Sequence, residues 1–279
     1  MSEKLTAEYE PQCEFDAHGN PIGILVHGDR VPDLVSREIR GSYAILQPLN
    51  ADKHTPDLWE AFVGADHLWT YMPHGPFLAE SDYREWIESK QGDQDPYFYA
   101  IVDEQSGKAL GVASYLRIDP GARSIEVGWI TYSPQLQRSR IGTDAMFVMM
   151  GNAFDAGYRR YEWKCDVLNE SSMRAAERLG MTYEGTFRQA AVVKGRNRDT
   201  AWFSIVDSQW PAMRAKFEAW VSHVFSAHPP NRCLIWVGSA LVVKSRSANA
   251  EVRPKKASRT GPPTKAISWP ALVKRVPSS

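Results

Sequence analysis

The feature that most constrains this chain is a strand that runs into a helix through a cationic turn. Ser124 to Tyr132 reads as a strand, and Met146 to Phe154 reads as a helix closed by Gly157. Before that helix stands Gln137-Arg138-Ser139-Arg140-Ile141-Gly142-Thr143. The first N–H groups of a helix have no partner inside it and sit at the positive end of its dipole. Such a turn suits an anion, and a pyrophosphate in particular. Arg138 and Arg140 add charge in a geometry that pairs with phosphate. An ordinary helix start also carries Arg and Gly, so the turn alone leaves both readings open.

Around this unit the chain alternates strands and helices. Residues 13–40 hold turn material and read as an extended arm lying over the domain. Gly41 to Leu49 alternates as a first strand. A helix is expected from about Thr55, with Leu58, Trp59, Phe62 and Val63 on one face. The aromatic, Pro-rich stretch Leu68 to Phe77 reads as a loop, and Ser81 as the N-cap of the next helix. Tyr97–Val102 and Leu110–Ile118 form a hairpin that turns at Pro120-Gly121 into the Ser124 strand. Beyond the central helix come a strand at Tyr161–Val167 and a short helix at Ser171–Leu179, with Gly180 as its C-terminal cap. Two strands follow, Met181–Gln189 and Thr200–Val206, joined by the polar loop Lys194–Asp199, and then a closing helix from Trp210 to Val224. Runs of hairpins followed by strand–helix–strand units indicate an α+β fold.

With 279 residues and 43% hydrophobic content the chain can build a sizeable core. Lys+Arg and Asp+Glu balance at 33 each, so no global charge favours nucleic acid or a membrane surface. Three scattered cysteines, Cys13, Cys165 and Cys233, fit a reducing compartment. No Cys-x-x-Cys or His-x-x-x-His pair suggests a metal. The N-terminus lacks the basic start and apolar run of a signal peptide, and the longest apolar run, Cys233 to Val243, is too short to cross a bilayer as a helix. After Val243 nine basic residues face one acid, Glu251, which reads as a solvated tail.

The cationic turn resembles the acyl-CoA-binding loop of the GNAT family (GCN5-related N-acetyltransferases), Gln/Arg-x-x-Gly-x-Gly/Ala. Gln137 stands at the first position and Gly142 at the last, with Arg140 where the middle glycine is expected. Asn169-Glu170-Ser171-Ser172 and Leu179-Gly180-Met181-Thr182-Tyr183-Glu184-Gly185 are similar to segments of the Rim-type ribosomal-protein N-acetyltransferase branch. The resemblance runs from about Phe15 to Val221. It implies a mostly antiparallel sheet that splays where two neighbouring strands are parallel. It also implies acetyl-CoA as co-substrate, held by Gln137, Arg138, Arg140, Ile141, Gly142, Thr143 and Asn169. Ser172 then becomes the candidate proton donor to the leaving thiolate, and Trp69, Tyr71 and Phe77 candidate walls of the acceptor pocket.

An amine must be neutral to attack a thioester, so a base or a water chain takes its proton. Glu126 is the candidate base. It alternates away from Ile125 and Val127, and Gly128 two residues on suggests a bulge or a close ligand. A cross-strand salt bridge is the competing reading of the same residue. Some Rim-type members carry a Glu after a Gln-Ala pair in a later strand. Here Gln189-Ala190 is followed by Ala191. Lys194, Arg196 and Arg198 read as a solvated turn or as a receiver for an acidic acceptor.

The expected architecture is therefore an arm (1–40), an N-acetyltransferase domain of GNAT-like α+β fold (41–225), and an irregular, basic, Pro/Ser-rich tail (226–279). The expected activity is direct transfer of an acetyl group from acetyl-CoA to a primary amine in the cytoplasm, without metal, nucleic acid or membrane. The alternative from a different class is a catalytically degenerate fold that binds CoA or a protein partner. Arg140 and Ala191 are the residues that favour it.

Overall fold

The computed structural model describes residues 11–28, 31, 34, 37–226, 232–237 and 240–245. The elements in chain order are β1 (Cys13–Phe15), β2 (Pro21–Gly23), β3 (Ile39–Arg40), β4 (Ala44–Pro48), α1 (Ala51–Phe62), a 3-10 turn (Asp66–Trp69), α2 (Glu80–Glu88), β5 (Tyr97–Asp103), β6 (Ala109–Asp119), β7 (Ser124–Tyr132), α3 (Arg140–Asp155), β8 (Arg160–Asp166), α4 (Glu170–Arg178), β9 (Thr182–Val193), β10 (Arg196–Val206), α5 (Trp210–Ser226), β11 (Arg232–Val237) and β12 (Ala240–Ser245). β3 to β10 build one sheet of eight strands in the order β3-β4-β5-β6-β7-β8-β10-β9. Every pair in it is antiparallel except β7 with β8.

The pleat divides the apolar side chains between two cores. On one face Ile125, Val127, Tyr161, Trp163 and Phe203 pack with Met146 and Met149 of α3 and Phe217 of α5. On the other, Ile45, Phe98, Ala100 and Val112 pack with Leu58 and Phe62 of α1 and Tyr83 and Ile87 of α2. Asp144 ties α3 to the sheet: its Oδ2 accepts from the backbone N–H of Tyr43 at 2.7 Å and of Ala44 at 3.0 Å. Burial raises the Asp144 carboxyl above its usual range, against the pull of these bonds.

Two local expectations are corrected. Ser81 lies inside the first turn of α2, whose N-cap is Ala79 without a side-chain bond. Most of the polar loop 194–199 is strand, because β9 and β10 pair as far as Val193 with Arg196 and leave only Lys194 and Gly195 as the turn. Both residues have positive φ, 49° and 74°, which suits a two-residue hairpin turn. Exposed on both sides, this end of the hairpin needs no apolar alternation.

In the arm, β1 and β2 form a separate hairpin, and Arg123 donates to the carbonyls of His27 and Gly28. Within the tail expected at 226–279 to be irregular, Arg232–Val237 and Ala240–Ser245 pair as the hairpin β11–β12; beyond Ser245 that expectation lies outside the described residues. No described helix is long and apolar enough to cross a membrane.

Candidate active site

The two parallel strands part from each other midway. β7 pairs with β8 from Ser124/Arg160 only to Val127/Trp163. Beyond that point β7 keeps β6, and Lys164 to Asp166 keep β10. The β7 backbone bordering this fork thus faces β8 without a ladder, leaving strand-type donors and acceptors for an extended ligand. The fork begins at a bulge. The β6–β7 register slips between Ser114/Gly128 and Val112/Thr131, and Trp129 sits at φ 52°. Bulges re-aim side chains beside functional sites.

β7 leads into α3 through the cationic turn. Ser139 is the N-cap: its Oγ accepts from Gly142 N at 3.0 Å and donates to the Leu136 carbonyl at 2.7 Å. This satisfies one first-turn donor. The N–H groups of Arg140 and Ile141 keep the open orientation that an anion uses. Arg138 (φ 55°) and Arg140 are exposed, and the Arg140 guanidinium lies 4.8 Å from the centre of the Tyr43 ring. The other residues of the turn build it. Gln137 Nε2 donates to the Tyr132 carbonyl at 3.2 Å, and Tyr132 Oη to the Gly142 carbonyl at 2.8 Å. Thr143 Oγ1 accepts from Arg178 Nη1 at 3.0 Å, joining α3 to α4. A Cβ on Gly142 would stand 2.8 Å from the Tyr132 ring and 3.1 Å from the Leu136 carbonyl oxygen. Glycine is thus required there by packing, whatever a ligand needs.

β8 leads into α4 on the other side of the fork. Asn169 caps that helix, with Oδ1 accepting from Ser172 N at 3.1 Å. Ser172 Oγ accepts from the Trp163 indole N–H at 3.0 Å, which leaves its own O–H proton to donate. Cys165 is buried on the same strand as Trp163, and burial pushes its thiol up. Two helix N-termini therefore flank the fork.

Glu126 lies at the apex, on the face opposite α3, and is 4% exposed. Arg117 Nη1 reaches its Oε2 at 2.6 Å and Lys164 Nζ reaches the same oxygen at 2.8 Å. Lys164 also meets Glu162 at 2.8 Å, and Arg160 joins Glu162 to Glu184. The cross-strand ion pairs exist, yet both cations make their closest approach to one oxygen. Oε1 has no hydrogen-bond partner among the described residues and lies 3.5 Å from where a Cβ of Gly128 would stand. That oxygen faces the bulge.

The aromatic loop closes this face. Trp69 is 4% exposed and packs on Phe62, Phe77 and Tyr83, so it shapes the loop from beneath. Phe77 is half-buried beside it. Tyr71 Oη donates to the Leu168 carbonyl at 2.9 Å, and Lys194 Nζ to the Trp69 carbonyl at 2.8 Å. The loop is thus tethered both to the start of α4 and to the β9–β10 turn.

Lys164 and His74 are absent from the residues read in the sequence. His74 stacks between Trp86 (4.4 Å between ring centres) and Trp129 (5.2 Å). Lys164 alternates with Glu162 along β8, a visible sign of a polar face, but its partner on β7 depends on a register that the sequence does not display.

Comparison with known proteins agrees with this geometry. Residues 44–182 match the family model described as acetyltransferase (GNAT) domain. A GCN5-related N-acetyltransferase from Brucella melitensis is 42% identical, with TM-score 0.67, covering 69% of this chain and 88% of that one. A GNAT-family acetyltransferase from Chromobacterium violaceum is 38% identical, with TM-score 0.64, covering 68% and 96%. The microcin C7 self immunity acetyltransferase MccE, solved with acetyl-CoA and AMP, shares the fold at 23% identity and TM-score 0.55, covering 62% and 98%.

Proposed function

Because the chain belongs to the GCN5-related N-acetyltransferase family, whose reaction is acetyl-CoA-dependent acetyl transfer, we propose that its acceptor is a primary amine and that the β7–β8 fork is where the acetyl group changes hands. The observation that carries this reading is the fork itself, with a bulged strand on one side and a helix N-terminus at each exit. The pyrophosphate of CoA belongs at Arg138, Arg140 and the N–H groups of Arg140 and Ile141. Gln137, Gly142 and Thr143 hold that turn in shape, and Asn169 holds the start of α4 beside the pantetheine arm.

The amine nitrogen attacks the thioester carbon, so a C–N bond forms as the C–S bond breaks. Glu126 Oε1 takes the proton that the nitrogen loses, directly or through water, and the Ser172 hydroxyl donates a hydrogen bond to the departing sulfur, which leaves as a thiolate and takes its proton from solvent. No covalent intermediate on the protein is needed, and Cys165, buried with its thiol pushed up, is poorly suited to be a nucleophile. Tyr71 and Phe77 border the side from which the acceptor arrives, over the floor formed by Trp69.

Replacing Arg138 and Arg140 together by Ala should weaken acetyl-CoA binding about 10²–10⁴-fold, since each charge-assisted bond is worth about 1.5–3 kcal/mol. Calorimetry measures it, and unchanged affinity would move the phosphates elsewhere. Thiol release from acetyl-CoA across a panel of peptides, amino acids and polyamines tests the transfer. Tight acetyl-CoA binding with no release for any amine would favour the non-catalytic module.

A further inference from the structure

Lys164 is a buried cation at the one place where the two parallel strands separate. Its side chain is 7% exposed. It is the first residue of β8 past the last parallel pair, while Glu126 precedes that pair on β7. Taking an ammonium group out of water is costly unless it is fully engaged, and here three groups engage it. Glu126 Oε2 and Glu162 Oε2 each lie 2.8 Å away, and the Trp202 ring centre lies 3.6 Å below Nζ. Phe187 stacks on Trp202 at 4.5 Å and backs the indole. A lysine on a flexible stem is thereby held at one point.

That point decides which oxygen Glu126 presents. Lys164 from β8 and Arg117 from β6 converge on Oε2, so the carboxylate cannot rotate without giving up both contacts. Arg117 is 63% exposed at its side chain and Lys164 only 7%, and exposed pairs are worth little. The buried ammonium is the stronger constraint.

We infer that Lys164 is a positioning residue for acetyl transfer: it locks Oε2 of Glu126 and so fixes Oε1 toward the bulge at Gly128. The inference rests on the reading of Glu126 as proton acceptor. Lys164 makes and breaks no bond in the reaction.

The test measures thiol release from acetyl-CoA with glycinamide, spermidine and a short peptide as acceptors, and with water alone. Lys164→Met should lower kcat about 10–100-fold, the scale of a misplaced catalytic group, with acetyl-CoA affinity unchanged by calorimetry. Lys164→Arg should recover most of the rate. In a Glu126→Gln background Lys164→Met should cost nothing more, because its effect passes through Glu126. Should Lys164→Met fail to fold for want of a countercharge, Lys164→Met with Glu162→Gln removes one acid with the cation, and the same comparison is made there. Full kcat in the Lys164 variants, or an equal loss on top of Glu126→Gln, would overturn the inference. A full rate in Glu126→Gln itself would instead overturn the reading of Glu126 as the base.

Discussion

Glu126→Gln is expected to slow acetyl transfer about 10²–10⁴-fold, the usual worth of a positioned base. The carboxamide keeps the volume and can still accept a bond from Arg117 or Lys164, but it cannot take the amine proton. Acetyl-CoA affinity should hold, because the phosphates are assigned to the turn before α3 on the other face of the sheet. The substitution also removes one charge from the ladder Arg117–Glu126–Lys164–Glu162. A melting curve must therefore accompany the rate. A folded variant with full rate across the pH range would reduce Glu126 to the structural partner of two cations.

Acidification from pH 7 to 4 is expected to destabilise the fold by several kcal/mol through two histidines. His54 is 2% exposed; its Nδ1 accepts from Asn50 N at 3.1 Å, so the ring proton sits on Nε2, facing Gln47 Oε1 at 3.2 Å. Protonating Nδ1 would set two N–H groups against each other at the start of α1. His74 lies between Trp86 and Trp129, with both ring nitrogens buried and unpartnered among the described residues. Burial pushes both rings down from 6.5 to about 4, helped by Lys53 at His54 and by Lys194 and Lys90 at His74.

The folded-state value is the lower one, so the unfolded chain binds protons first. The stability these groups support is whole above about pH 6.5 and is lost as pH falls through about 4, below which both states are protonated. Shifts of this size correspond to about 3 kcal/mol apiece. Denaturant titrations at pH 7, 5.5 and 4 read the loss, and His54→Gln and His74→Phe should each flatten part of it. Carboxylates titrate in the wild type and the variants alike, so the difference isolates the rings. An identical pH slope in the double variant would contradict the assignment.

Much of this architecture was legible because its elements obey strong periodicities. The strand Ser124–Tyr132 matches β7 residue for residue, and Glu126 reads as a residue on the face opposite Ile125 and Val127. Gly128 correctly marked a bulge. Other features depend on register or on distant packing. That Lys164 and Arg117 meet on one oxygen of Glu126 follows from pairings across three strands. Gly142 reads from the motif as part of the CoA loop, whereas the Tyr132 ring and the Leu136 carbonyl that leave no room for a Cβ there are visible only in the folded chain. Trp69 was visible as an aromatic loop residue, but only the folded chain places it under Phe77 and Tyr83 rather than at the surface. The sequence spreads the β9–β10 turn over Lys194–Asp199, because hydrogen-bonded strands with two exposed faces leave no apolar signature.

The most direct measurement is amide hydrogen exchange of the full chain with and without acetyl-CoA. Binding at the fork should protect the β7 segment Gly128–Tyr132, the first turn of α3 at Arg140–Thr143 and the start of α4 at Asn169–Ser172. The β1–β2 hairpin and the outer face of α2 should exchange as before. Protection confined to other elements, or no protection at acetyl-CoA concentrations that saturate thiol release, would contradict a transfer site at the β7–β8 fork.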